Sequence, residues 1–527
     1  MAHVSPTLTV GSYNLLAQGF VAPFANTPAA DLAWPARRQR IAAALAALDA
    51  DVLCLQELQS SSRGWGRALS GADAAGPDHA QQLRLLLAAR GYDGTYQVMD
   101  DDARSSYATA KHDVAWTPEA ADAEADDADA AAAGTAAASG GAAPAAPSGK
   151  RNAAWPCSSA PGARIGNALF WRRLAWTCVA QRPVLLSSVI TDLTKERGNL
   201  PAYRLLQNSK TAILCLLRHA ATGALVLVGC THLPAPSGFE SSEAEEGGGG
   251  EGVAPPAAAA AVAALLPKGA VLQVQLAEAI VREAAEMLEH LGLSARVPFV
   301  LAGDFNAKPE SACYRLLTTG GLPPGDPSLS GLVAAKPRPA GAAQPAGASA
   351  AQPAAVALPF PRPDCAGGGP FASAYAAVNG REPGFTNLRL CYGEDALRSA
   401  RAAAVEAARA AGAKSAAAAA ATVAAAGLRA VPGETIFSAP LDYIFFRNPR
   451  APDGVSSSVS GGSVTTLRTV AVRATPTEEE VRAECGALPS RSFPSDHVPI
   501  AATFALAVAV GGSGPAGGAG SVSGASS

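Results

Sequence analysis

Short runs of apolar residues recur along the chain and indicate β-strands. They lie at positions 8–13, 52–56, 168–171, 212–217, 224–230, 299–302, 443–446 and 500–504. Each run is nearly continuously apolar, and this pattern favours strands in sheets that another layer covers. The chain is therefore expected to contain at least one sheet packed against a second layer.

A different spacing marks the helices. Leu, Ile and Val recur at intervals of three and four residues in 37–48, 80–90 and 271–291, which is the period of an amphipathic helix. Strands outnumber helices, and helices lie between some of them. This order predicts an α/β fold in which two sheets pack face to face and helices flank them.

Several long segments have a biased composition of Ala, Gly, Pro and Ser. They lie near 114–163, 235–268, 321–369, 397–432 and 449–465, with a Gly/Ser tail at 511–527. Because they offer few large side chains to bury, loops or disorder are expected there. The exception is 401–426, an Ala-rich run without Pro that predicts a surface helix. Without these segments roughly 320 residues remain, enough for a single domain over 1–510 followed by a disordered tail.

Charge and cysteine usage narrow the class of protein. The net charge is −3, with 41 basic and 44 acidic residues, so contact with nucleic acid would need a local basic cleft. The 9 cysteines are scattered without a CxxC pair, which favours reduced thiols. The run at 8–10 begins too near Met1 to leave room for a secretory signal, and no run apart from Ala-rich tracts reaches membrane-span length. A cytoplasmic protein without a membrane segment is expected, with the nucleus and organelles left open.

Polar side chains follow or precede the predicted strands, where burial in the core explains them poorly. These side chains are Asn14, Glu57, His232, Asp304, Asn306, Asp442, Asp496 and His497. Each alone has an ordinary explanation, such as a turn cap for Asn14, a solvated charge for Glu57 or a core hydrogen bond for His232. Strand ends that together deliver carboxylates, amides and imidazoles predict one site on a rigid scaffold.

Six sequence blocks carry a family resemblance. They are SYNLLAQ at 12–18, DVLCLQE at 51–57, THL at 231–233, GDFNA at 303–307, LDYI at 441–444 and PSDH at 494–497. In this order they resemble the signature blocks of the endonuclease/exonuclease/phosphatase superfamily. The resemblance covers the chain from about position 8 to 504 outside the biased segments. It implies a four-layered α/β sandwich, with two packed mixed β-sheets flanked by helices.

Further blocks resemble the deadenylase branch of that superfamily. They are NLLAQ at 14–18, Trp34 with Arg37, Arg38 and Arg40, GYDGTY at 91–96 and FTN at 385–387. These blocks are similar to those of the carbon catabolite repressor-type, nocturnin and Angel proteins. Leucine-rich repeats are absent from the sequence, so no complex mediated by such repeats is expected, and the chain is predicted to be a monomer.

The resemblance implies a metal site and a hydrolytic mechanism. Glu57, assisted by Asn14 and Asp496, would hold Mg²⁺, with Mn²⁺ as a substitute. Asp304 would be the base for the attacking water, and Asn306 would orient water and phosphate.

Two further groups of residues have implied roles in phosphate and base binding. His497 would donate to a phosphate oxygen while Asp442 holds its ring, and His232 would touch the scissile phosphate or the leaving oxygen. Asn167 would add a phosphate contact. Phe385 would lie against a terminal base, and Asn387 would read the base edge.

Two positions depart from the family pattern. Pro234 follows the THL block where many relatives carry lysine, and Leu272 stands where arginine is common. Two cations that contact phosphate in relatives are therefore expected to be lost or replaced.

The expected function is that of a Mg²⁺-dependent 3′–5′ exoribonuclease of deadenylase type, acting on an RNA 3′ end in mRNA decay. One alternative is a phosphatase or phosphodiesterase for a small nucleotide, such as a 2′-phosphorylated dinucleotide, a 2′–5′ oligoadenylate or a cyclic phosphate. An inactive RNA-binding adaptor is the alternative from another class, but it would not require the acidic and imidazole residues at the strand ends.

Overall fold

The computed structural model describes residues 6–21, 24, 26–60, 78–98, 164–186, 210–235, 269–294, 296–323, 369–391, 394–426, 428, 434–449 and 463–510. The strands are β1 Thr7–Asn14, β2 Val52–Ser60, β3 Tyr92–Val98, β4 Arg164–Arg172, β5 Trp176–Leu185, β6 Thr211–His219, β7 Leu225–His232, β8 Phe299–Asp304, β9 Ala372–Ser373, β10 Asn387–Cys391, β11 Thr435–Ala439, β12 Asp442–Arg447, β13 Ser463–Val472 and β14 Ile500–Val510. The helices are α1 Ala29–Leu32, α2 Trp34–Leu48, α3 His79–Ala88, α4 Gly269–His290, α5 Ala312–Thr319, α6 Ala374–Asn379, α7 Glu394–Ala410, α8 Ala416–Ala426 and α9 Glu478–Cys485. A 3₁₀ turn covers Gln18–Phe20.

These strands form two six-stranded sheets and a two-stranded ribbon. The first sheet has the order β13-β14-β1-β2-β4-β3, and the second has the order β5-β6-β7-β8-β12-β9. The ribbon consists of β10 and β11. Within each sheet one pair is parallel, β1 with β2 and β7 with β8, and the neighbouring pairs are antiparallel. Both sheets are therefore mixed.

Alternating side chains on the strands separate the molecule into four layers. In β2, Val52 and Cys54 enter a cluster shared by both sheets, whereas Leu53 and Leu55 pack against α2 and α3. In β8, Val300 faces the same cluster between the sheets. Phe299 and Leu301 on its other face pack against α4 and α5. Because successive side chains of a strand point to opposite faces, nearly continuous apolar runs can fill both interfaces of an inner sheet.

Local signals fix several helix ends. A proline lies in the first turn of α2, where the missing N–H costs no hydrogen bond, and α2 ends at Asp49 in a left-handed conformation with φ 46°. At the start of α9, Thr477 and Glu480 form a reciprocal capping box that satisfies two backbone N–H groups.

The four-layered α/β fold predicted from the sequence is confirmed, with strands at each predicted run. The predicted surface helix at 401–426 is two helices, α7 and α8, which separate near Gly412 at φ 106°. The expectation of loops at 449–465 is partly wrong, since β13 begins at Ser463 and pairs with β14. Residues 114–163, most of 235–268 and 321–369, and the tail 511–527 lie outside the described residues, and the single-domain assignment stays a prediction. No helix in the described parts of the chain is long and apolar enough to cross a membrane.

Candidate active site

Strand direction brings the predicted site residues to one end of the two sheets. Parallel β1 and β2 carry Asn14 and Glu57 at or near their carboxyl ends, and parallel β7 and β8 end at His232 and Asp304. Antiparallel β12 begins beside the end of β8, so that Asp442 is the register partner of Asp304. The carboxyl ends of parallel strands are the usual place for ligand sites in α/β proteins.

The Asn14 side chain joins two carboxylates. Its Nδ2 donates to Glu57 Oε1 at 3.1 Å and to Asp304 Oδ2 at 2.9 Å. Its Oδ1 accepts the Leu16 amide at 3.0 Å, and Glu57 Oε2 accepts the Ala17 amide at 3.0 Å. The amide nitrogen of Asn14 therefore faces the acids in this structure, and its expected part in holding Mg²⁺ stays a prediction. In this arrangement it positions Glu57 and Asp304.

Unusual backbone conformations aim these side chains. Leu16, Glu57 and Asn306 have φ values of 56°, 56° and 48°, in a left-handed region that non-glycine residues rarely adopt. Glu57 lies in the irregularity that interrupts the pairing of β2 with β4. Such strain persists where surrounding contacts hold it, and it is typical of functional sites. At Gly303, with φ 152°, a Cβ would lie 2.0 Å from the Thr231 carbonyl oxygen, so only glycine fits there.

His497 and Asp442 form a buried pair. His497 Nδ1 lies 2.7 Å from Asp442 Oδ2, and His497 Nε2 lies 3.7 Å from Asp304 Oδ2. Burial lowers the pKa of His497, but the carboxylates of Asp442, Asp496 and Asp304 outweigh burial and raise this pKa to about 10. The imidazole is therefore protonated at neutral pH, with Nδ1–H donating to Asp442 and Nε2–H directed to the Asp304 side of the site.

Asp304 has the electrostatics of a base that works near neutral pH. Burial raises its pKa most, the Asp442 charge raises it further, and His497, Asn14 and the Asn306 amide lower it, with a result of about 7. The Asn306 N–H donates to Asp304 Oδ1 at 2.8 Å, which leaves Oδ2 toward Asn14 and the histidines. A base is most effective when its pKa lies near the working pH.

His232 lies between donors and acids. Its Nε2 is 3.2 Å from Lys210 Nζ and 3.1 Å from Asn306 Nδ2, and 3.5 Å from Asp304 Oδ2. Asn306 Nδ2 also donates to the Leu233 carbonyl at 2.8 Å. Burial, Lys210 and His497 together lower the pKa of His232 well below its usual value, so the ring is neutral.

The FTN block at 385–387 holds other site residues in place. Thr386 Oγ1 accepts the backbone N–H groups of Leu441 and Asp442 at 2.8 and 2.9 Å, which fixes the start of β12. Asn387 Nδ2 donates to Asp496 Oδ2 at 3.0 Å. With only 3% of Asn387 exposed, its amide supports Asp496 in this structure, and the expected reading of a base edge stays a prediction.

The ring of Phe385 is buried. It is 1% exposed and packs in a small core with Leu388, Val481, Leu488 and Val498. The expected stacking of a terminal base on Phe385 stays a prediction. The ring anchors the FTN block, because burying an aromatic side chain fixes the backbone that carries it.

Asn167 also has a structural partner. Its Nδ2 donates to the Thr211 carbonyl at 2.7 Å, which links β4 of the first sheet to β6 of the second. The residue is 1% exposed. This link between the sheets sets the backbone position next to Lys210, and the phosphate contact of Asn167 stays a prediction.

The donor set suits a hard divalent cation. Four carboxylates, those of Glu57, Asp304, Asp442 and Asp496, act on a site whose described cations are His497, Lys210 and Arg37. Oxygen ligands and excess negative charge are what such an ion requires. One compact group has potential ligand atoms within 4.8 Å of one another and consists of Asp304, Asp442 and His497.

Within that group, His497 is a poor ligand. An imidazole that is protonated on both nitrogens has no lone pair for a metal. The Glu57 carboxylate, 12% exposed, and the Asp496 carboxylate are therefore the better candidates to hold the ion, with Asp442 kept by His497.

Lys210 in the site, and an aromatic ring on the ribbon that begins at Asn387, were not predicted from the sequence. Lys210 precedes an apolar strand and carries no motif. The half-buried ring of Phe437 on β11 has Lys308 Nζ 5.9 Å and the Arg389 guanidinium 5.6 Å from its centroid. The only sequence signal for Phe437 is an aromatic residue shortly before the LDYI block.

The model of the Endonuclease/Exonuclease/phosphatase family matches residues 11–497. The chain belongs to this family. Its members generally use divalent metals for hydrolysis of phosphate esters, in agreement with the acidic donor set. As a member of the endonuclease/exonuclease/phosphatase family, the protein is a hydrolase of the nuclease and phosphatase type.

Several solved structures are similar to this family member. ANGEL2, a 2′,3′-cyclic phosphatase in complex with adenosine-2′,3′-vanadate, is 15% identical with a TM-score of 0.47, over 95% of this chain and 96% of that one. The human Nocturnin catalytic domain is 15% identical with a TM-score of 0.40, over 96% of each chain. A family protein from Bacteroides vulgatus is 13% identical with a TM-score of 0.38, over 95% of this chain and 100% of that one. No curated protein sequence matches the chain.

Proposed function

We propose that this protein is a Mg²⁺-dependent 3′–5′ exoribonuclease of deadenylase type, which hydrolyses the phosphodiester bond at an RNA 3′ end. The observation that carries the proposal is the environment of Asp304. Its carboxylate, with a pKa of about 7, contacts the Asn14 amide and faces the His497 imidazolium at 3.7 Å. A near-neutral base beside a fixed proton donor suits attack of water on a phosphate.

Four residues of the site have parts in the proposed reaction. Asp304 takes the proton of the attacking water, and Asn14 holds that carboxylate in place. The His497 imidazolium donates a hydrogen bond to a phosphate oxygen, and its charge is kept by Asp442. Fixed donors aimed at developing negative charge lower the barrier because they need no reorganisation during the reaction.

Mg²⁺, when bound by Glu57 and Asp496, would supply positive charge to the phosphate and the leaving oxygen. The oxygen donors of these two residues fit this ion. The remaining contacts of the site are made by side chains and backbone N–H groups of the chain itself.

Phe437 supports RNA as the substrate class. It lies on β11, whose partner β10 begins at Asn387 beside Asp496, and Lys308 follows Asn306 by two residues. Aromatic rings beside basic side chains are typical of surfaces that bind nucleic acid. In this proposal Phe437 has the base-stacking role that the sequence predicts for Phe385.

Other support comes from the blocks NLLAQ at 14–18 and FTN at 385–387, which resemble the deadenylase branch. The FTN block keeps its value as a signature even though its side chains position other residues. We further propose that the protein is a cytoplasmic monomer that acts in mRNA decay, and these three properties stay predictions.

One assay tests the substrate directly. The purified protein with Mg²⁺ is offered oligo(A) RNA, mixed-sequence RNA, the DNA equivalent, a 2′-phosphorylated dinucleotide and an RNA with a 2′,3′-cyclic phosphate end. We expect stepwise shortening of RNA from the 3′ end, fastest on oligo(A), and no comparable cleavage of DNA. Asp304→Ala and Glu57→Ala each should lower turnover by at least about 10²-fold.

The other outcomes are informative too. Hydrolysis confined to the dinucleotide or the cyclic phosphate would replace the exoribonuclease with a phosphatase for small nucleotides or RNA ends. Full activity of Asp304→Ala would remove the mechanism itself. RNA binding without hydrolysis in any arm would favour an inactive adaptor.

A further inference from the structure

A lysine that no sequence block predicts stands at the edge of the site. Lys210 directly precedes β6, and its Nζ lies 3.2 Å from His232 Nε2. Its carbonyl accepts the Leu186 amide at 3.0 Å, and the next carbonyl, of Thr211, accepts Asn167 Nδ2 at 2.7 Å. Both sheets therefore fix the backbone from which this side chain reaches His232.

The charge of Lys210 lacks a direct ion pair among the described residues. Burial lowers the pKa of Lys210, and the fields of Glu57 and Asp304 oppose that effect without a carboxylate in contact. A buried cation that is not paired costs stability, and such groups are common at functional sites. The ammonium lies deep in the site, but the residue as a whole is only partly buried, so a ligand can approach it.

The neighbouring ring is arranged to receive donors. His232 Nε2 meets the ammonium of Lys210 and the amide nitrogen of Asn306, at 3.2 and 3.1 Å. Both partners have only N–H groups to offer, so Nε2 acts as an acceptor and the ring proton is on Nδ1, which has no hydrogen-bond partner in the described structure. A ring in this state cannot donate from Nε2, and its role is to hold Lys210 and Asn306 side by side.

We propose that Lys210 binds a non-bridging oxygen of the substrate phosphate, and that His232 is the positioning residue that aims its ammonium. The inference rests on the proposed hydrolysis of a phosphate ester at the Asp304 site. An ammonium has three donors, and His232 engages one, so the others are available for phosphate oxygens. Lys210 thus supplies positive charge beside His232, one of the two histidines that face the Asp304 carboxylate.

The probe is inorganic phosphate, titrated calorimetrically into the full chain in the presence of Mg²⁺. Lys210→Met keeps the length of the side chain and removes its charge, and Lys210→Arg keeps the charge. Arg218→Met is the matched control, because Arg218 lies exposed near the other end of the same strand. Thermal unfolding and kcat/KM on the best substrate are measured for each variant.

We expect Lys210→Met to weaken phosphate binding by about ten- to a hundredfold, the range for a charge-assisted hydrogen bond. It should lower kcat/KM by a similar factor without lowering the melting temperature, since an unpaired buried charge is removed. Lys210→Arg should retain part of the phosphate affinity, and Arg218→Met should stay within about twofold of the parent. A purely structural lysine would instead give a lower melting temperature and unchanged phosphate affinity.

The role of His232 is tested by coupling. His232→Leu should weaken phosphate binding, and combining it with Lys210→Met should add little, because both changes remove one contact. His232→Gln, whose amide oxygen can accept from Lys210, should recover part of the affinity. Additive losses in the double variant would overturn the positioning role.

The result that overturns the proposal is equal phosphate affinity in the parent and Lys210→Met, or no phosphate binding by the parent. If Lys210→Met fails to fold, Lys210→Gln decides in the same way. Loss of phosphate affinity in a protein that hydrolyses no RNA would support Lys210 while refuting the exoribonuclease. RNA hydrolysis that Lys210→Met leaves unchanged would support the exoribonuclease while refuting the role of Lys210.

Discussion

Alanine substitution of Phe437 and Phe385 separates substrate binding from folding. The two rings belong to the same part of the chain, since Phe385 lies just before β10 and Phe437 lies on its partner β11. Phe437 is half-buried with Lys308 and Arg389 near its ring, whereas Phe385 is 1% exposed within a core. The same substitution, phenylalanine to alanine, should therefore affect substrate binding at Phe437 and folding stability at Phe385.

The expected magnitudes follow from these surroundings. Stacking of a base on an aromatic ring is worth about 1–3 kcal/mol, so Phe437→Ala should raise KM for oligo(A) by about 5- to 150-fold. Removing a fully buried phenylalanine costs about 3–5 kcal/mol, a large part of a total stability of about 5–15 kcal/mol. Phe385→Ala should therefore lower the melting temperature strongly, and Phe437→Ala should change it little.

The assay combines thermal unfolding with steady-state kinetics on two substrates. The first is oligo(A) RNA, and the second is a small phosphodiester that carries no base beyond the scissile bond. Loss confined to oligo(A) marks a base platform, whereas loss on both substrates marks general damage. Unchanged KM of Phe437→Ala on oligo(A), or an unchanged melting temperature of Phe385→Ala, would refute the assignment of the two rings.

Three further predictions concern charge, support and the biased segments. The raised pKa of Asp304 contributes stability that is fully present below its ordinary value of 3.8 and is lost as pH rises through about 7. In EDTA, Asp304→Asn should therefore gain several degrees of melting temperature over the parent at about pH 8 but not at about pH 4. An equal difference at both pH values would contradict the shift. Arg37 is fully buried and donates to backbone carbonyls beside Asn14 and Asp496. Arg37→Met should therefore lower the free energy of unfolding in urea by about 2–4 kcal/mol and remove most of the activity. The exposed control Arg90→Met should match the parent. Deletion of 114–163 or 235–268, which contain no candidate ligand, should leave turnover on a short oligonucleotide within a few-fold, and insolubility of the shortened chain would show that they belong to the fold.

The sequence alone determined the elements and the order of the site blocks. The spacing of apolar residues predicts strands and helices because it follows the geometry of each element. This spacing is a local property of the sequence. The acids and imidazoles at strand ends could be assigned to one site from the sequence, because burial in the core explains a polar residue at the end of an apolar run poorly. The pairing of His497 with Asp442 and the approach of Asp304 to Asn14 agree with that assignment.

Only the tertiary structure decided what the residues between these blocks do. Phe385, Thr386 and Asn387 form a motif in the sequence, but their contacts are with segments about 50 to 110 positions away, at the start of β12 and around Asp496. Lys210 is an isolated cation in the sequence and reaches the site because β6 pairs with β7 and Asn167 ties its backbone to the other sheet. The direction in which a loop side chain points depends on partners brought by strand pairing. Local periodicity carries no information on such non-local contacts.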